Sequence, residues 1–154
     1  MIYTIIVEAT YPTDANSTFE SALDVSEMQE AMRGLAVYKG LPDKPIKQGE
    51  TMTVDVTMLK IFKTPNHVMH VERLDRGDRI IQSREHNKNI KRWDHTLSIQ
   101  PIIEGCAWRD LIVLDAGPMT FLTARFCRFV YSRRHRMRQA DSIRALIVRG
   151  EVEV

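Results

Sequence analysis

Apolar and polar positions alternate along most of this chain, then change to a three-and-four spacing near its end. Residues 2–9 are rich in β-branched side chains and predict a first strand. Tyr11-Pro12-Thr13-Asp14 breaks that strand and supplies capping oxygens for a short helix with apolar positions Ala15, Phe19, Ala22 and Leu23. Ser26, with Gln29 three residues on, has the pattern of a capping box and opens a second helix carrying Met28, Ala31, Met32 and Leu35. The stretch from Tyr38 to Glu50 holds two prolines and two glycines and predicts a loop. Alternation is cleanest over 51–61, where Met52, Val54, Val56 and Met58 point one way and Thr51, Thr53, Asp55 and Thr57 the other. Further strands are expected at His67–Asp75, Arg79–His86, Ile90–Pro101 and Cys106–Asp115. The short turns between them favour antiparallel neighbours.

From Pro118 to Ala140 the residues Met119, Leu122, Phe126, Phe129, Met137 and Ala140 recur at helical spacing. They predict one long helix with this stripe turned inward and proline in its first turn. A long helix after an antiparallel sheet must cover that sheet, because neither buries its apolar side alone. The expected class is α+β. If the sheet curls, the space beneath the helix becomes a pocket.

Size and composition narrow the picture without naming a chemistry. The 154 residues match one domain, expected over 1–140, and a tail over 141–154. The tail's alternation, ALIVRGEVEV, leaves open an extra strand, a contact in a homodimer, or disorder. No apolar run nears the roughly 20 residues that span a bilayer, and the N-terminus lacks the basic flank of a secretory signal. Cys106 and Cys127 suggest neither a disulfide framework nor a metal site, so a reducing cytoplasm is the expected location. The net charge of +2 conceals an asymmetry: residues 1–50 carry eight acids against four bases, whereas Pro118–Arg149 holds eight arginines and a single acid, Asp141. A basic end of this kind suits a solvated helix face with cations near the helix C-terminus, or an anionic partner. Its cations wrap more than one face and no aromatic platform accompanies them, which argues against nucleic acid.

His95 is the sharpest candidate for chemistry. It alternates with Trp93, Leu97 and Ile99, and a polar group on that face needs a partner. It would orient a ligand or act as general acid or base, or else serve as a bonded structural histidine. Asp110 in the next strand would orient it if the register allows. Trp108 shares the parity of Asp110 and suits either the pocket wall or the core. Arg133 falls on the helix stripe with Phe129 and Met137, placed to meet an anionic head or to extend its stem to the rim. The histidines do not form a metal site: His67 and His70, at i and i+3, fall on opposite faces of a strand, and His86 and His135 lack cysteine or carboxylate partners at ligand spacing. No GxSxG, Walker or GxGxxG motif occurs, so no nucleotide or other cofactor is expected.

Four stretches carry a family resemblance: YPTDANSTFESALDVSEMQEAM, with Phe19 at an aromatic position; IKQGETMTVDV; RWDHTLSIQPIIEGCAWRDLIVLDAGP; and FLTARFCRFVYSRRHRMR. Their order resembles the helix-grip fold of the START/Bet v 1-like (SRPBCC) superfamily, above all its small bacterial polyketide cyclase-like and ligand-binding members. The resemblance implies a curved sheet wrapped around the C-terminal helix, with an apolar cavity between them. Such proteins bind lipids, steroids, polyketides or plant hormones, and some are enzymes. The short last connection and the tail depart from the pattern. On this reading Met52, Val54, Val56, Met58, Trp93, Leu97, Ile99, Trp108, Leu122, Phe126 and Phe129 supply the wall for a small hydrophobic ligand, which His95 and Arg133 orient. One alternative is a cyclase- or aldolase-like enzyme with His95 as base and Asp110 orienting it. The other is an interaction module using the basic helix.

Overall fold

A computed structural model describes residues 1–149 of the chain. The order is β1 (Tyr3–Tyr11), α1 (Ala15–Ala22), α2 (Val25–Ala31), β2 (Ala36–Lys39), β3 (Thr51–Met58), β4 (Phe62–Asp75), β5 (Ile80–His86), β6 (Arg92–Ile102), β7 (Gly105–Asp115), a 3-10 turn (Gly117–Met119) and α3 (Thr120–Arg149). The seven strands form one curled antiparallel sheet in the order β1-β7-β6-β5-β4-β3-β2. With α3 against its concave face this is the α+β class expected from the hydrophobic pattern, in the helix-grip form that the family resemblance implied.

Local chemistry sets the elements. Asp14 and Asp24 cap the two short helices, accepting from the backbone N–H of Ser17 and Ser26, both at 2.9 Å. The second helix therefore starts one residue before Ser26, which lies inside it. Register shifts at Val54/Val56 and Val71/Arg73 mark bulges in β3 and β4, and bulges bend and twist a strand. Val56 and Val71, at these two shifts, both face the interior space between sheet and helix. β4 starts at Phe62, five residues before the expected His67, and takes in Thr64-Pro65-Asn66; Asn66 has φ 53° there and its N–H bonds to Asp55. A short strand, β2, also appears within and just before the expected loop, paired with β3.

Two apolar clusters fill the interior. One joins Phe19 and Leu23 of α1 and its cap to Val54, Ile99 and Trp108 of the sheet. The other joins Ile5, Ile112 and Leu114 to Ala124, Cys127, Val130 and Tyr131 of α3. The inward face of α3 is thus Thr120, Ala124, Cys127, Tyr131, His135 and Arg138, all buried. This corrects the stripe expected from the sequence: Met119, Leu122, Phe126 and Phe129 are exposed. Phe126 and Cys127 differ by one residue, about 100° around a helix, so the true face is turned by that amount. Small side chains at 124 and 127 let α3 approach β1 and β7 closely, and bulky phenylalanines there would hold it off. The helix also runs beyond Ala140 to Arg149, so 141–149 continues it; the rest of the tail, 150–154, lies outside the described residues.

Candidate functional site

A cavity of about 660 Å³ lies between the sheet and α3. Met52, Val56 and Met58 of β3, Met69 and Val71 of β4, Ile81 of β5 and Leu97 of β6 form its apolar wall. From α3 it receives Thr123, Cys127, Val130 and Tyr131. Phe62, Met119, Leu122 and Phe126 line it too but are exposed, and so mark its mouth. Among the expected wall residues, Val54, Ile99 and Trp108 pack in the core beneath and do not face the space. Two further expectations are corrected. Phe129 is 49% exposed and points away from the cavity. Arg133 does not face it either, since its Nη2 donates to the carbonyl of Arg33 at 2.9 Å.

Register brings the expected pair together. Leu97 lies opposite Asp110 and His95 opposite Ile112, so His95 and Asp110 sit diagonally on one face of β6 and β7. Nε2 of His95 donates to Oδ1 of Asp110 at 2.7 Å. The second carboxylate oxygen is taken by a residue not expected here: Nε2 of His135, on α3, donates to Oδ2 at 2.7 Å. An ionised carboxylate only accepts, which fixes both Nε2 atoms as donors. In neutral His135, Nδ1 then accepts from the Tyr11 hydroxyl at 2.7 Å. The result is a buried chain, Tyr11–His135–Asp110–His95, that reaches the cavity at His95.

The electrostatics agree with this assignment. Burial by itself would raise the Asp110 carboxyl, but the hydrogen bonds from His135 and His95, with their charge, hold it far below its ordinary range. The Tyr11 hydroxyl is pushed well above its usual value, chiefly by burial. Asp110 is therefore held as an anion, and the Tyr11 hydroxyl stays protonated. Among the described residues, Nδ1 of His95 has no protein partner, which leaves it available to a ligand.

A second acid–histidine group lies on the same face. Ile81, Ser83 and Glu85 alternate on β5, and all three reach the cavity wall. Glu85 accepts from His67 Nε2 at 2.9 Å and from the Ser83 hydroxyl at 2.7 Å, and Nδ1 of His67 accepts from Asn87 at 3.0 Å. Burial again opposes ionisation, yet the His67 hydrogen bond and the charges of His67 and His95 keep the Glu85 carboxyl below its normal range. The buried side of β5 was readable as a period of two starting at Ile81. What that pattern lacked was any reason to rank a glutamate above a solvent-facing one. His135 had a signal as well, four residues after Tyr131 on the small-residue stripe of α3, but only if that stripe is chosen as the inward one. Among the described residues, no group of three or more His, Cys, Asp or Glu side chains is placed to hold a metal ion.

No family model matches the chain, and no curated protein matches it. Solved structures do. The aromatase/cyclase Zhui from Streptomyces sp. R1128 superposes with a TM-score of 0.70 at 12% identity, covering 95% of this chain and 96% of that one. Ara h 8.0201 gives 0.71 at 6% identity, covering 93% and 99%. The fold is Bet v 1-like. Protein CV1439 from Chromobacterium violaceum adds a TM-score of 0.69 at 15% identity, covering 89% and 94%. At these identities the Bet v 1-like likeness is one of backbone, so the chemistry has to be argued from the side chains described above. No helix among the described residues is long and apolar enough to cross a membrane.

Proposed function

We propose that the protein binds a small hydrophobic ligand in the cavity between the curled sheet and α3. The observation that carries this reading is the cavity itself: about 660 Å³, walled mainly by methionine, valine, leucine and isoleucine, with a few polar groups converging on it. Binding sites for small molecules have this make-up and size. The methionines at 52, 58 and 69 allow the wall to adapt to different shapes. Neighbours of the same fold, the aromatase/cyclase Zhui among them, support the reading without fixing the ligand. Two buried free cysteines suit the reducing cytoplasm proposed for it.

Saturable, one-to-one binding of an apolar fluorophore such as Nile red is expected. Val130→Trp narrows the space from the helix side and should weaken that binding by about tenfold, the factor that about 1.4 kcal/mol of lost contact and strain supplies. Native mass spectrometry followed by denaturing extraction should release a co-purified apolar molecule. Absence of stoichiometric binding, or a Val130→Trp variant that binds unchanged, counts against the reading.

One observation favours a second reading, an enzyme of the cyclase or aldolase-like kind. His95 faces the cavity with Nε2 committed to an anionic Asp110, an arrangement that fixes the ring's orientation and leaves the other nitrogen free to take or give a proton. In that case His95→Gln abolishes turnover of a bound polyketide-like substrate and leaves its affinity within about threefold, under 1 kcal/mol. Loss of affinity alone assigns His95 to ligand orientation instead.

A further inference from the structure

The carboxylates of both histidine groups are fully taken by protein donors, whereas the guanidinium groups on the helix side of the cavity find no acceptor. Arg134 and Arg138 lie one turn apart on α3 and both line the cavity. Neither guanidinium hydrogen-bonds to a described residue. Each rests instead on an aromatic face: Arg134 lies 4.8 Å from the ring centre of Tyr131, and Arg138 lies 4.6 Å from that of Trp108. The Nε atoms of both are enclosed without an acceptor. Arg138 is only 6% exposed.

The acids nearby do not answer this demand. Both oxygens of Asp110 are taken by His95 and His135, and those of Glu85 by Ser83 and His67. Glu27 on α2 approaches Nε of Arg138 only to 3.9 Å, beyond hydrogen-bond reach. It offsets part of the positive charge at longer range and leaves both Nε donors without an acceptor. A buried cation without an acceptor is costly. Burial and the like charge of Arg134 accordingly push the Arg138 guanidinium down to about 10.

We propose that the ligand is an apolar monocarboxylate whose carboxylate accepts from Arg134 and Arg138 while its hydrocarbon body lies along Val56, Met69 and Leu97. The proposal rests on the ligand-binding reading above and names the class of ligand. Guanidinium forks match carboxylate oxygens in geometry, and such charge-assisted bonds are roughly twice as strong as neutral ones. Beside the anionic Asp110 and Glu85 a monoanion also meets less repulsion than a phosphate dianion would.

Fluorescence titration of the full chain with cis-parinaric acid and with its methyl ester tests the assignment. The acid is expected to bind at least about tenfold more tightly than the ester, the factor one charge-assisted hydrogen bond supplies. Arg134→Gln and Arg138→Gln should each shrink that preference, and Arg138→Lys, which keeps the charge but not the fork, should retain part of it. Equal affinity for acid and ester overturns the carboxylate assignment and leaves the hydrophobic-ligand reading standing. Failure of both to bind overturns the two together. The acid–ester comparison on the unsubstituted protein decides the matter even where a variant does not fold.

Discussion

Asp110→Ala is expected to destabilise the protein by about 3–5 kcal/mol in urea unfolding near neutral pH, the range for removing one partner of a buried ionic group. The carboxylate is 2% exposed and accepts from two imidazoles on different elements, His95 on β6 and His135 on α3. Its loss leaves the Nε2 donor of the buried His135 without an acceptor and cuts the only hydrogen-bonded link described between β7 and α3 at this level. The same carboxyl has a pH signature. Its value in the folded protein lies far below the ordinary 3.8. The stability it contributes is therefore complete above about pH 4 and is lost progressively as pH falls below 3.8 toward the depressed value. Asp110→Asn cannot titrate, so its stability should fall less steeply than that of the native chain between pH 4 and pH 2, on the order of 1 kcal/mol less per pH unit. Parallel acid limbs for the two proteins would show that the His135–Asp110–His95 chain is not a unit of stability.

A comparable loss is expected from Gly105→Ala, at the start of β7. Gly105 takes φ 132°, and a Cβ there would stand 1.9 Å from the carbonyl oxygen of Tyr11 and 2.9 Å from its carbonyl carbon. The obstacle is backbone, so no side chain can rotate away. Relief requires β1 and β7 to part where Tyr11 pairs with Cys106. The cost should exceed about 4 kcal/mol, placing it among exceptional single substitutions, and lower the melting temperature by more than about 10 °C for a chain of this size. Tyr11 also ends the hydrogen-bonded chain to His135, so the damage reaches the cavity side. Gly49→Ala is the control. Its φ of 81° is similarly left-handed, but nothing lies within 4 Å of the added carbon, and about 1–2 kcal/mol is expected. A Gly105→Ala chain that melts within 3 °C of the native protein would refute the close approach.

The residue pattern alone was enough for the elements that bury one face against the core. Met52, Val54, Val56 and Met58 alternate because β3 is solvated on one side. Trp93, His95, Leu97 and Ile99 share a side for the same reason, and the three-and-four spacing after Pro118 produces α3. It also placed His95 and Asp110 on neighbouring strands, since short turns join them. Their contact needed the register, which pairs Leu97 with Asp110 and sets His95 on the diagonal.

Tertiary structure decided the rest. Two stripes compete on α3, one of large apolar residues and one of small and polar ones, and spacing treats them alike. The small stripe wins because Ala124 and Cys127 admit close contact with β1 and β7, and that choice turns Arg134 and Arg138 inward and Phe129 and Arg133 outward. His135 meets Asp110 across 25 residues and Tyr11 across 124. Local pattern records which face of an element is buried, and partners that far apart along the chain are chosen only when the helix seats against the sheet.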